Sequence, residues 1–421
     1  MKTARFLAGP FNNCAHPGIG AARDKSPDPC LPLSPDPLLP CLALGCFCGG
    51  HQRRIPIAFI ALRTGIGQLA LVSQPAVADR GCRHIPIPAC LFAQFRLESI
   101  GLLCALRLRQ RLHNGDKPRQ GGPMVSYTLP GMTEFPDLNL LFLSFYRDAR
   151  DIFFDDIAIE SVYGGFPGSP LCGGRNNIGE RISLVDVEKC LARYRDLGVA
   201  CNVTFTNQLA TTDAIERDAY GRRILSLLDE QSADGELPNG VILYADAMNE
   251  YAQSEHPRLR RISSTTKQLP SPEVTNREID VFDRVVLNYN FTHDEQAISA
   301  IEHPEKLEVM ANEYCTLGCP YRSAHYRATS ESQIKGVPCS FECKHKPAPQ
   351  AWGFLNGLIE GDVFLNNDQI RHYANDLGVG SFKIVGRGLS RYDVIDSYLY
   401  YLVKPEHWYE VRDYLIHRNY L

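Results

Sequence analysis

No uninterrupted apolar run in this chain is long enough to cross a bilayer. The best stretch, Ile55 to Val72, is broken by Arg63, whereas a spanning helix needs about 20 apolar residues. The opening Met1-Lys-Thr-Ala-Arg-Phe-Leu-Ala-Gly-Pro10 is basic, but its apolar core is too short for a secretory signal. Gly-x-Ser-x-Gly and His-Glu-x-x-His are both missing, so neither a serine-hydrolase elbow nor a zincin helix is indicated. There is also little charge of one sign: 44 Lys and Arg stand against 48 Asp and Glu, a formal net charge of −4. Broad nucleic-acid binding is therefore not favoured.

The balance is uneven along the chain. Residues 1–123 hold 15 Lys/Arg against 6 Asp/Glu, with 14 of the 28 prolines and 8 of the 15 cysteines. Pro-rich runs such as Ser26 to Pro37 continue neither a helix nor a central strand. The eight cysteine spacings there match no metal or disulfide framework. Residues 1–123 are expected to be a disordered basic extension, or to precede the true start of translation at Met124. The preceding Gln120-Gly-Gly-Pro123 is encodable by a purine-rich ribosome-binding sequence. Residues 124–421 carry a balance of −13 and are expected to form a domain in the reducing cytoplasm, where thiols stay unpaired.

From residue 157 onward, short apolar runs alternate with helical patterns. The runs are 157–161, 201–207, 240–246, 261–266, 284–290, 307–312, 361–367 and 381–387. Amphipathic helices are predicted at Leu184 to Leu197, Asp213 to Leu228 and Asp368 to Leu377. Eight strand signals with helices between them predict a (β/α)8 barrel, with an open doubly wound sheet as the alternative. Most runs end in polar residues, among them Asn207, Asp246, Asn288, Asn290, Asn312, Glu313, Lys383 and Arg387. In a barrel such ends share the catalytic face, although any single Asn or Asp is more often a helix cap. Gly386-Arg-Gly-Leu-Ser390 has the makings of an anion site, and Arg175 lies in a glycine-rich loop suited to close ligand approach.

The chemistry-bearing motif is Cys315-x3-Cys319, nineteen residues, then Cys339-x3-Cys343. Two thiolate pairs suit one soft metal centre. C-x3-C spacing places an iron–sulfur cluster ahead of zinc, which more often uses C-x2-C. Arg322, His325, Tyr326 and Arg327 lie between the pairs and are placed to shield a centre or meet a substrate. An insertion of about residues 313–348 is expected after the sixth strand.

Three segments, Asn312-Glu-Tyr-Cys-Thr-Leu-Gly-Cys-Pro-Tyr-Arg322, Gly336-Val-Pro-Cys-Ser-Phe-Glu-Cys343 and Ser381-Phe-Lys-Ile-Val-Gly-Arg387, together resemble the U-32 (collagenase-like) peptidase family over roughly residues 155–405. The first cysteine pair is tighter than that family's, and Val385 stands where its signature has glutamate. The resemblance implies a barrel core, a [4Fe–4S] cluster on Cys315, Cys319, Cys339 and Cys343, and Lys383 and Arg387 near the active face. It also implies either oxygen-independent hydroxylation or RNA or small-molecule modification, or the peptidase activity of the family's name. A non-catalytic partner subunit with structural zinc is a further alternative. Candidate catalytic groups are Lys383, Arg387 and Glu313. Candidate contacts to an anionic small-molecule, RNA or peptide substrate are Arg175, Asn207, Asn288, Arg322 and His325.

Overall fold

Eight parallel strands close on themselves in sequence order: β1 (Val125–Leu129), β2 (Ile157–Gly164), β3 (Ala200–Phe205), β4 (Gly240–Leu243), β5 (Arg260–Ser263), β6 (Arg284–Val286), β7 (Leu307–Met310) and β8 (Ser381–Lys383). This computed structural model describes residues 124–173, 180–232, 238–343, 353–386 and 389–417. All the described residues belong to one compact unit of the chain. The expected extension at 1–123, together with Arg175 and Arg387, lies outside the described residues.

The architecture is the (β/α)8 barrel that the strand–helix alternation predicts, but two offsetting differences produce the count of eight. Val125–Leu129 is the first strand, so the first six expected runs are each displaced by one place. Its alternation is legible afterwards: Val125, Tyr127 and Leu129 pack in the outer core, while Thr128 bonds inside the barrel. The run 361–367 is not a strand. Its Phe364 makes one isolated bridge to Asn312, because β7 already pairs directly with β8 at Glu308–Ser381, Val309–Phe382 and Met310–Lys383. Val363 instead fills the barrel interior. The cysteine segment accordingly follows the seventh strand.

The surrounding helices are α1 (Pro136–Asp148), α2 (Leu184–Arg195), α3 (Thr212–Arg217), α4 (Ala219–Ser232), α5 (Asp246–Glu255), α6 (Pro272–Val281), α7 (Glu295–Ser299), α8 (Arg322–Lys335), α9 (Gly353–Glu360), α10 (Asn367–Asp376), α11 (Arg391–Leu402) and α12 (Trp408–His417). Among the described residues, no helix is long and apolar enough to cross a membrane. The helix expected over Asp213–Leu228 is two, α3 and α4. Asp218 breaks it by leaving helical backbone and accepting bonds from Ser169 Oγ at 2.5 Å and Gly221 N at 2.9 Å. Side-chain caps start other helices: Ser183 on α2, Ser271 on α6, Ser390 on α11, and an Asn366–Gln369 capping box on α10.

The barrel interior is polar at its lower end and apolar above. At the strand starts Glu160 accepts from Arg260 and Arg284, the latter at 2.9 Å. Above them, Thr128 Oγ1 donates to Glu308 Oε1 at 2.5 Å and bonds Ser161 Oγ at 2.9 Å, which also accepts from Asn202 Nδ2 at 2.9 Å. Gly240 makes room for this layer, since a Cβ there would stand 2.3 Å from Asn202 Oδ1. Tyr163, Ile242, Ile262, Val286, Tyr289, Met310, Val363 and Val385 form the apolar plug above.

Glu160 gives the barrel an acid sensitivity. Burial opposes its ionisation, but Arg260 and Arg284 outweigh burial and bring its pKa down to about 2 from an ordinary 4.5. A carboxylate depressed in the folded state stabilises fully above its unfolded pKa and loses that contribution as pH falls toward the folded one. Thermal melts are therefore expected to weaken between about pH 4.5 and pH 2. Glu160→Gln should flatten that part of the profile. An unchanged slope would contradict the assignment.

Candidate metal centre on the barrel rim

The first cysteine pair sits directly beyond β7, at the carboxyl ends of the strands, where barrel chemistry is concentrated. The chain leaves β7 through Asn312, whose side chain acts as an extra rung toward β8. Its Oδ1 accepts from Val385 N at 2.6 Å and its Nδ2 donates to Val385 O at 2.9 Å. Glu313 turns the chain over the rim. Its carboxylate accepts from Tyr314 N at 2.8 Å and Cys315 N at 3.0 Å. Tyr314 and Cys315 then pack on the apolar plug.

Arg322, the first residue of α8, is only 2 % exposed and holds this loop in place. Its guanidinium lies 3.5 Å from the centroid of the Tyr289 ring and donates to Thr316 O at 2.8 Å and Asn290 Oδ1 at 3.1 Å. Asn290 also accepts from Gly318 N at 2.9 Å. The loop carrying Cys315 and Cys319 is thus fastened to the end of β6 by one arginine and one asparagine. Two donors in this pocket have no partner among the described residues: the Tyr289 hydroxyl and Arg322 Nε, both buried. The Tyr289 hydroxyl lies close enough to Cys315 to favour its thiolate, although burial is the larger influence and pushes the Cys315 thiol up.

The second pair returns along α8. The helix rises about 21 Å over its length and ends at Gly336, whose positive φ of 65° suits glycine and lets the chain reverse. On the way back, Cys339 Sγ lies 3.8 Å from Thr329 Oγ1, and the Phe341 ring stacks on His325 at 4.9 Å and 8°. Each step of the returning segment therefore approaches the helix start, where Cys319 lies. All four thiols are free and partly exposed. Among the described residues, no three His, Cys, Asp or Glu side chains are already gathered in metal-binding geometry. The donor set still suits a soft metal: four unpaired thiols, with two orphaned buried donors beside the first of them.

The other expected site residues are distributed differently. Lys383 faces the interior two residues below Val385, about 6.6 Å along the strand. There its Nζ donates to Glu308 Oε2 at 3.1 Å and lies 4.0 Å from the centroid of the Tyr163 ring. Glu313 lies on the rim, three residues beyond the end of β7. Asn207 ties the end of β3 to α8 through Ser330 O at 3.0 Å, and to Pro170 O at 2.9 Å. Asn288 caps a short turn and donates to Leu269 O at 3.1 Å. Both are connectors in this structure. His325 is the stacking platform for Phe341. Sequence reasoning overlooked Glu308 and Tyr289. For Glu308 the signal was present, a charge inside the apolar run Leu-Glu-Val-Met.

No protein-family model matches the sequence, and no curated protein is similar to it in sequence. Solved structures with similarity to the chain include the U32 peptidase Mk0906, at 14% identity, covering 65% of this chain and 97% of that one, with a TM-score of 0.39. Another is the spore cortex-lytic enzyme SleL of Bacillus cereus, at 12% identity, covering 65% and 73%, with a TM-score of 0.34. A third is the cellulase Cel5C_n, at 10% identity, covering 70% and 86%, with a TM-score of 0.29.

Proposed function

We propose that this chain is a U32-peptidase-like barrel enzyme that modifies an anionic substrate with the help of a [4Fe–4S] cluster held by Cys315, Cys319, Cys339 and Cys343. The observation that carries this reading is the fastening of the cysteine loop to the catalytic rim by Glu313, Asn290 and buried Arg322. A purely structural clip needs no such position. When bound, the cluster supplies one-electron transfer. The chain's own part is to seat the thiols, to exclude water with the plug of Tyr163, Met310, Val363 and Val385, and to hold the cysteine loop at the rim through buried Arg322. Hydroxylation or modification chemistry fits this reading better than proteolysis, since the motif thiols serve as metal ligands rather than nucleophiles.

Cys339→Ser in the full chain is expected to abolish bound iron and the brown colour of anaerobically purified protein while shifting the melting temperature only slightly. Peptidase activity surviving both Cys315→Ser and Cys339→Ser would instead support the family's nominal activity. A stoichiometric zinc in place of iron would support a structural centre.

A further inference from the structure

The pocket beneath Cys315 contains a donor that makes no well-formed hydrogen bond, although the Cys315 thiol and the Tyr326 phenol lie beside it. Tyr289 begins a short turn, Tyr289–Phe291, whose cap Asn288 accepts from Asn290 N at 3.2 Å. That cap and the plug around its ring leave Tyr289 1 % exposed. Its hydroxyl has no hydrogen-bond partner among the described residues. Arg322 covers the ring face at 3.5 Å, so the phenol's position is fixed from above by a cation and from the sides by aliphatic neighbours. A buried hydroxyl left without an acceptor is costly, which marks the spot as built for one. Cys315 packs against the same cluster, and Arg322 Nε, also buried and unpartnered, adds a second donor to the pocket.

We propose that the Tyr289 hydroxyl donates a hydrogen bond to the Cys315 sulfur when that sulfur is a metal-bound thiolate, making Tyr289 a positioning and tuning residue of the centre. The inference rests on the cluster reading above and deepens it. A hydrogen bond to a ligating sulfur favours the more negative, reduced centre and so raises its reduction potential.

The test is a redox titration, followed by electron paramagnetic resonance, of the full chain purified anaerobically, with iron content measured first. Tyr289→Phe should keep its iron and move the midpoint negative by about tenfold in the one-electron equilibrium constant, about 59 mV. Placing 3-fluorotyrosine at position 289 keeps the packing, strengthens the donor and should move it positive, which decides the matter if the phenylalanine variant folds poorly. Tyr409→Phe, on an exposed phenol of α12, should leave it in place. An iron-loaded Tyr289→Phe with an unmoved midpoint overturns the inference and leaves the cluster reading standing. An unaltered chain that holds no iron overturns both.

Discussion

Lys383→Met is expected to cost about 3–5 kcal/mol of stability, because it takes from buried Glu308 the ammonium that pairs with it inside the barrel. Glu308 is fully buried. Burial opposes its ionisation, yet Lys383 and Arg284, with hydrogen bonds from Thr128 and Lys383, hold its carboxyl below the ordinary range. Removing the ammonium removes the first of those supports. The loss corresponds to roughly 6–20 °C in melting temperature for a domain of this size. Adding Glu308→Gln should restore much of it, since two neutral groups no longer oppose each other across a low-dielectric interior. The double variant also separates two roles for Lys383. A folded double variant that keeps the chain's activity assigns Lys383 to the barrel's interior ion pair. A folded one without activity assigns it to the chemistry.

Arg322→Met carries the second large effect, concentrated at the rim. It removes two charge-assisted bonds, to Thr316 O and Asn290 Oδ1, and the stack on Tyr289, on the order of 3 kcal/mol together. The loop from Glu313 to Cys319 should then exchange amide hydrogens faster and lose metal, while the β1–β4 half of the barrel remains protected. Arg322→Lys should rescue little, because a single ammonium cannot serve Thr316, Asn290 and the Tyr289 face at once. Uniform loosening of the whole barrel would contradict this account.

The barrel was legible because strand runs and helix patterns are local. Leu307 to Met310 forms the strand foreseen before the cysteines, and Ser381 to Lys383 forms the last one. The run at 361–367 misled because three buried apolar residues, Val363, Phe364 and Leu365, look alike whether they pair in a sheet or plug its mouth. Only closure of β7 onto β8 decides between those. The placement of the cysteine loop on the rim was likewise readable from its position after an apolar run. What holds the loop was not. Arg322 meets Tyr289 and Asn290 across more than thirty residues, and Glu308 meets Lys383 across 75; such pairs come together only when the strands close. The polar strand ends illustrate the same limit. Asn207, Asn288 and Asn312 complete backbone bonding, as Asn at element ends commonly does, and composition alone does not separate that use from contact with a substrate.

Iron and acid-labile sulfide, counted per chain on anaerobically purified protein, decide whether the four rim thiols hold an iron–sulfur centre. About four of each per chain are expected, both lost in Cys339→Ser. A folded, colourless protein with neither, or with one zinc bound by the same cysteines, would contradict that expectation.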